Sequence, residues 1–283
     1  MHSKISTQQV LLLAITILCF SYACETTIPL PNENTDFTAG IYGKVEVFNE
    51  YGEKESSQEG VEVIADCYEI LGYSEEDSST ISRTTNYLSR TNAEGYFNFT
   101  EVPTGSYTLT FISPEHGVLK ISNYSHDYTR ADTIKDIYLA KKPLGSIKIN
   151  SIRKDETKKM LIVNRTISFT GMTDKAYGMV TRYFFHFTPD VSDKVFSYTT
   201  TSGASKSTGG NNSTHDIFLS AKPLELLDTL KNETKIYVAA YLDNYKSTYY
   251  IEFDDMNDSI MKFPNLTLPS NVVVFDKDTL QKY

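Results

Sequence analysis

The chain has no tryptophan, five histidines and three cysteines in 283 residues. Zinc sites need clustered His or Cys, and neither a C-x-x-C nor an H-E-x-x-H spacing occurs, which excludes the common structural and catalytic zinc motifs. A G-x-S-x-G nucleophile elbow is also missing. The stretch from Gly203 to Gly210 contains Lys206 and Ser207 but not the G-x-x-x-x-G-K-[ST] spacing of a phosphate loop. Positive charge is scarce as well: Lys and Arg total 27 against 36 Asp and Glu, a net charge of −9. That balance argues against nucleic acid or anionic head groups as the main partner, since both call for a cationic face. No apolar run reaches the about 20 residues that carry a helix across a bilayer. These absences lead us to expect no enzyme, no cofactor and no metal.

What is present describes a folded, β-rich chain. Hydrophobic residues make up 40%, aromatic residues 12% and charged residues 22%, with 20 Tyr and 15 Phe. At roughly 100–150 residues per domain, the length suggests two domains. Residues 1–23 pair one lysine, Lys4, with an apolar run from Val10 to Phe20, the pattern of a secretory signal. Three readings of the junction after it stay open, an uncleaved anchor among them. Ser21 and Ala23 fit ordinary signal cleavage. Ala23-Cys24 also resembles the lipobox of bacterial lipoproteins, in its relaxed Bacteroidota form, with Ser21 and Tyr22 where Leu and a small residue are usual. That resemblance implies lipidation at Cys24 and attachment to the membrane through it. Removing residues 1–23 takes away Lys4 alone, leaving 26 cationic and 36 acidic side chains. Residues 24–37, with Pro29, Pro31, Asn32 and Asn34, lack periodicity and read as a tether.

From Gly40 onward short alternating stretches are separated by Gly, Pro, Asn and Asp, which predicts an all-β chain. Ile41, Gly43, Val45 and Val47 alternate, as do Val61, Val63, Ala65 and Cys67; Phe97 and Phe99 lead on to Tyr107, Leu109 and Phe111. Cys67 belongs to this apolar register and reads as a buried small side chain. Pro103 and Gly105 predict a tight connection between antiparallel strands, with Gly105 free to take a positive φ. The run Gly43-x-Val45, Gly60-Val61-x-Val63 and Thr91-Asn92-x-x-Gly95-x-Phe97-x-Phe99-x-x-Val102-Pro103-x-Gly105-x-Tyr107-x-Leu109 resembles the carboxypeptidase regulatory-like domain. The resemblance covers residues 38–142 and implies a transthyretin-like β-sandwich without catalytic residues. Between Tyr68 and Leu88 an acidic, Ser-rich insertion departs from that family and reads as a hairpin tip or loop.

A boundary is expected at Pro143-Leu144-Gly145, followed by a second sandwich over residues 143–283. Ile147 with Ile149 and Ile167 with Phe169 open it, and Val180–Phe187, apolar on both faces, predicts a central strand. The stretch Leu230–Tyr241 resembles, more loosely, a turn and late strand of fibronectin type III and other immunoglobulin-like sandwiches. Ser202–Thr214 reads as an exposed loop and Val272–Phe275 as a late strand. The fold class is therefore all-β, two consecutive β-sandwich domains after the signal segment.

Few residues in this chain could do chemistry. His116, His126, His186 and His215 are scattered in sequence. Asp254-Asp255-Met256-Asn257-Asp258 concentrates oxygen ligands but lacks the Gly and closing Glu of an EF-hand loop, and reads as a solvated turn. Asn98, Asn123, Asn164, Asn211, Asn212, Asn232, Asn257 and Asn265 stand in N-x-[ST] patterns, which matter in a eukaryotic secretory protein. Thr133, Thr229, Ser259 and Thr279 stand in an Asp-[Ser/Thr]-apolar pattern that resembles the acceptor of Bacteroidota protein O-glycosylation. The functional expectation is a non-catalytic envelope lipoprotein that acts as a binding or scaffolding module at the bacterial cell surface, with a glycan or an envelope protein as partner and no nucleic acid. The alternatives are a carbohydrate-binding accessory protein of a glycan-uptake system, stacking sugars on Tyr124, Tyr128, Tyr245, Tyr249 or Tyr250, a surface-fibre or adhesion subunit, and a hydrolase built on the Asp254–Asp258 cluster and a histidine.

Overall fold

The computed structural model describes residues 40–73, 80–127, 131–155, 157–158, 160–169, 176–202, 205–208, 212–220, 222, 225, 234–247, 249–253 and 258–276. Seventeen strands, β1 to β17, organise them into five sheets. The chain is all-β, as the alternation predicts. Two compact units divide it: one holds Ser57–Ser113, Lys120–Ile137 and the stretch ending at Val45, the other Glu46–Ser56, Pro114–Leu119 and the chain from Tyr138 on.

The first unit is built on β1 (Gly40–Phe48), β2 (Glu62–Tyr73), β3 (Thr80–Arg90), β4 (Tyr96–Thr100), β5 (Gly105–Ser113), β6 (Gly117–His126) and β7 (Asp132–Ala140), except that the end of β1 from Glu46, the start of β6 to Leu119 and the end of β7 from Tyr138 are counted with the second. They form a four-stranded sheet in the order β3-β2-β5-β6 and a three-stranded sheet in the order β4-β1-β7. The inward residues are those of the alternation: Ile41, Val45, Val63, Ala65, Cys67, Phe97, Leu109 and Phe111 are all buried. Phe97 of one sheet meets Phe111 of the other edge to face at 5.6 Å, which places the core between the sheets. The Asn92-x-x-Gly95 motif is a turn. The Asn92 side chain accepts from the Tyr96 amide at 2.8 Å, and Gly95, at φ +90°, passes so close to Val45 that a Cβ would lie 2.2 Å from its carbonyl oxygen.

Two details of this unit differ from the sequence reading. β4 pairs with β1 and β5 with β2, so the Glu101–Thr104 connection carries the chain from one sheet to the other and closes no hairpin. The positive φ there belongs to Glu101, at 63°, and not to Gly105. Gly105 is set by packing, with the Cys67 sulfur 3.3 Å from where its Cβ would be. The Tyr68–Leu88 insertion is largely strand: β2 and β3 pair from Glu62↔Arg90 to Tyr73↔Thr80, and residues 74–79 at its tip lie outside the described residues.

The second unit contains β8 (Gly145–Asp155), β9 (Met160–Phe169), β10 (Ala176–His186), β11 (Tyr198–Thr201), β12 (Ser205–Thr208), β13 (Asn212–Ser220), β14 (Lys235–Asn244), β15 (Tyr250–Phe253), β16 (Ser259–Lys262) and β17 (Val273–Asp276). One sheet runs β11-β10-β14-β17 with β12 also on β10; the other runs β13-β9-β8. β10 is the central strand predicted from its two apolar faces. One face, Met179, Tyr183 and Phe185, packs with Ile147, Ile149, Leu161, Val163 and Leu219 of the opposing sheet. The other face is unusual for a sandwich, whose outer surfaces are ordinarily polar. There Phe184 joins Ala239, Tyr241, Val191, Phe263 and Leu266 in a second core. Asn244, fully buried, donates to the carbonyls of Asn49 at 2.8 Å and Lys141 at 3.1 Å and so ties three separate segments of this unit together. Ser202–Thr214 is not simply a loop. Ser205–Thr208 forms β12 against Ala176–Met179, and β13 already begins at Asn212.

Candidate functional site

The sheet β13-β9-β8 buries Leu161, Val163, Ile167 and Leu219 and turns its other face to solvent. Because the side-chain period of a strand is two, Asn164, Thr166 and Ser168 of β9 point outward with Thr214, Asp216 and Phe218 of β13. Register sets them side by side: Asp216 opposite Asn164, Thr214 opposite Thr166, Phe218 opposite Ile162. On the other flank the β8–β9 pairing skips one residue between Ile149 and Ser151, leaving Asn150 as the extra residue of a bulge. Bulges re-aim side chains. Here the bulge delivers the Asn150 amide onto Asn164 Oδ1 at 2.8 Å and Thr166 Oγ1 at 2.9 Å.

The result is a continuous hydrogen-bonded array across three strands. Asn164 Nδ2 donates to Asp216 Oδ1 at 2.8 Å, Arg153 Nη2 donates to Asp216 Oδ2, and the Thr166 and Thr214 hydroxyls share a hydrogen bond of 2.9 Å. Phe218, 47% exposed, borders the array one row beyond Asp216, with the Lys158 ammonium 4.9 Å from its ring centroid. Three strands about 4.8 Å apart and rows about 7 Å apart give a flat patch the size of a short oligosaccharide. Chemically it offers a carboxylate, amides, hydroxyls and a guanidinium held in one plane, next to an aromatic face. Such a surface can bind alternating donors and acceptors and stack on an apolar ring face. Sequence inspection missed it, because polar alternation is also what any solvated strand shows.

Of the residues singled out from sequence, Asn164 lies in this array and Asn212 begins β13, while the candidate anchor, O-glycan, tyrosine and acidic-cluster residues do not belong to it. Thr133 is exposed on β7 and Ser259 is exposed at the start of β16, whereas Cys24, Thr229 and Thr279 lie outside the described residues. Tyr128 and residues 254–257 are also outside them. Tyr245 is half-buried and donates to the Gly52 carbonyl at 3.1 Å; Tyr249 is exposed. Cys67 is buried in the apolar register of β2 and takes part in no disulfide among the described residues. Among the described residues, no three His, Cys, Asp or Glu converge in a way that could hold a metal ion.

The histidines are dispersed. His126, fully buried, pairs through Nδ1 with Asp132 at 2.8 Å; His186 meets the Ser197 hydroxyl at 2.8 Å. His116 lies 3.6 Å from Glu55, which is itself 3.2 Å from Lys141. Burial, with the Lys141 ammonium second, holds the His116 imidazole below its ordinary range, and Glu55 opposes them without prevailing. A depressed histidine pKa favours the neutral form in the fold, so its contribution to stability is present above the unfolded value of about 6.5 and is lost as pH falls through the folded value. The unfolding temperature is therefore expected to drop between pH 7 and pH 5, and His116→Gln to flatten that drop. An unchanged slope in thermal melts of the variant would show that His116 is not responsible.

No family model matches the chain, and no curated protein matches it. Among solved structures it is similar to a Bacteroides uniformis protein named as a candidate carbohydrate binding protein, with 12% identity over 84% of this chain and 99% of that one, at a TM-score of 0.27. DUF3823 family proteins from Parabacteroides merdae (11% identity, 81% and 98% covered, TM-score 0.25) and Bacteroides ovatus (12%, 83% and 98%, 0.25) are also similar. TM-scores this low leave both fold and function to be read from the chain itself.

Proposed function

We propose that this protein is a non-catalytic binding module of the bacterial envelope and that it holds a glycan on the open face of β13-β9-β8. The observation that carries this reading is the Asn150–Asn164–Asp216–Arg153 array with Phe218 at its edge. Its donors and acceptors are already fixed by one another, so little side-chain entropy is lost when a ligand replaces water over them. Sugars present hydroxyls at the ring edge and C–H bonds on the ring face, which is the complement of this arrangement. A glycan array probed with the purified chain, followed by titration of any hit against wild type and a Phe218 variant, tests the reading.

The remaining assignments are proposals resting on sequence. The first unit is a carboxypeptidase regulatory-like domain by its motifs, and its strand count and sheet pairing are compatible with one. Cys24 carries the lipid anchor, with residues 24–37 as spacer. Lipoprotein anchors carry several acyl chains, which makes attachment stable where one chain would not. Thr133, Thr229, Ser259 and Thr279 are O-glycan acceptors. Metabolic labelling with an alkyne fatty acid is expected to mark the wild type and not Cys24→Ala. Equal labelling of both, or of neither, would remove the anchor.

A further inference from the structure

Directly beneath the open face lies a charge with no counter-charge among the described residues. Arg165 sits between Asn164 and Thr166 on β9, so the alternation that turns those two outward turns Arg165 into the sandwich, where it is 4% exposed. Among the described residues no carboxylate pairs with it. Its Nη1 donates to the Thr181 hydroxyl of β10, and its Nε is buried with no hydrogen-bond partner. Tyr183, two residues along β10 and fully buried, has its hydroxyl beside the Thr181 side chain and the Arg165 charge, with no carboxylate to accept from it among the described residues. Burial pushes the Tyr183 phenol up to about 12 despite Arg165 beside it, and burial also pulls the Arg165 guanidinium below its ordinary range. The flanking groups do not neutralise it. Ile149 and His215 are its register partners, the latter exposed, and Val163 and Ile167 precede and follow it on the inward face of β9.

The surroundings of Arg165 are thus rich in donors and poor in charged acceptors, and an uncompensated cation is among the most costly groups to bury. We propose that Arg165, Tyr183 and Thr181 form an internal site for one small monovalent anion of the chloride class. A water molecule supplies an acceptor but no charge. A phosphate or sulfate carries a second charge for which this site has no partner, and the apolar walls favour a weakly hydrated monoanion. The anion accepts from Arg165 Nε and from the Tyr183 hydroxyl, two groups that interact electrostatically inside the sandwich.

The test is the thermal unfolding of the whole chain at fixed ionic strength as chloride replaces gluconate. Anything that binds the native state alone raises the midpoint in a saturable way. Wild type is expected to show that saturable rise, Arg165→Met to lose it, and Tyr183→Phe to need about tenfold more chloride for the half-maximal effect, the loss of one hydrogen bond to a charged group. Should Arg165→Met fail to fold, Tyr183→Phe, which keeps the ring, carries the comparison alone. Crystals grown in bromide are expected to show an anomalous peak beside Arg165. No chloride-specific rise in wild type, an equal response in the variants, or water alone beside Arg165 would each overturn the site.

Discussion

Asp243→Ala is expected to cost about 3–5 kcal/mol of unfolding free energy, the range for breaking a buried ion pair by removing one partner. Arg182 reaches Asp243 Oδ2 from both Nε, at 3.2 Å, and Nη2, at 3.0 Å. Neither residue can turn to water: Asp243 is 2% exposed and Arg182 8%. The Phe263 ring covers the guanidinium, 4.6 Å from its carbon, and Phe263 itself packs on Phe184 at 5.1 Å. Alanine at 243 would leave that cation under an aromatic lid with its carboxylate gone. The pair does not stabilise the fold in proportion to that loss. Burial raises the Asp243 carboxyl above its ordinary range, and Arg182 does not reverse the direction. Ionising Asp243 inside the fold is thus harder than in water, and replacing both partners together, Arg182→Met with Asp243→Leu, is expected to be much milder than the single change. Urea unfolding of the wild type and the two variants checks this. A single-variant loss below about 1 kcal/mol, or a double variant as damaged as the single, would show that the pair is not buried as described.

Phe218→Ala is expected to weaken glycan binding by about thirtyfold, the equivalent of about 2 kcal/mol, the scale at which an aromatic anchor counts as dominant in an interface. The same change should leave stability within about 0.5 kcal/mol, because the ring is 47% exposed and supports no core. That contrast separates a binding role from a structural one. The Lys158 ammonium on the ring is an exposed contact and would relocate with little consequence. Binding unchanged in Phe218→Ala, measured by titration calorimetry, would take the ring out of the site.

The fold was legible in the sequence wherever burial imposes a two-residue period. Ile147 with Ile149, Ile167 with Phe169 and the doubly apolar Val180–Phe187 all lie in strands, and Val180–Phe187 is central because two of its neighbours pair with it along its length. Period says nothing about which sheet a strand joins. Pro103 and Gly105 therefore suggested a hairpin where the chain changes sheets. Ser205–Thr208 went unread because Ser, Lys and Thr carry no apolar alternation and its pairing is decided by β10. The site was illegible for a related reason. Asn164, Asp216 and Arg153 are far apart in sequence, and an outward polar row is ordinary until register brings three such rows together and a bulge turns Asn150 onto them. Arg165 was hidden by the same alternation: read among polar neighbours, it suggests a solvated strand, and only the inward position makes it an anomaly.

The most direct test of the central claim is a glycan array probed with the purified chain beside a variant carrying Phe218→Ala and Asn164→Ala. We expect one glycan class bound by the wild type and lost in the variant, with both unfolding at closely similar temperatures. Wild type that binds no glycan above background, or a variant that binds as well as wild type, would contradict the assignment of the open face of β13-β9-β8 as a glycan site.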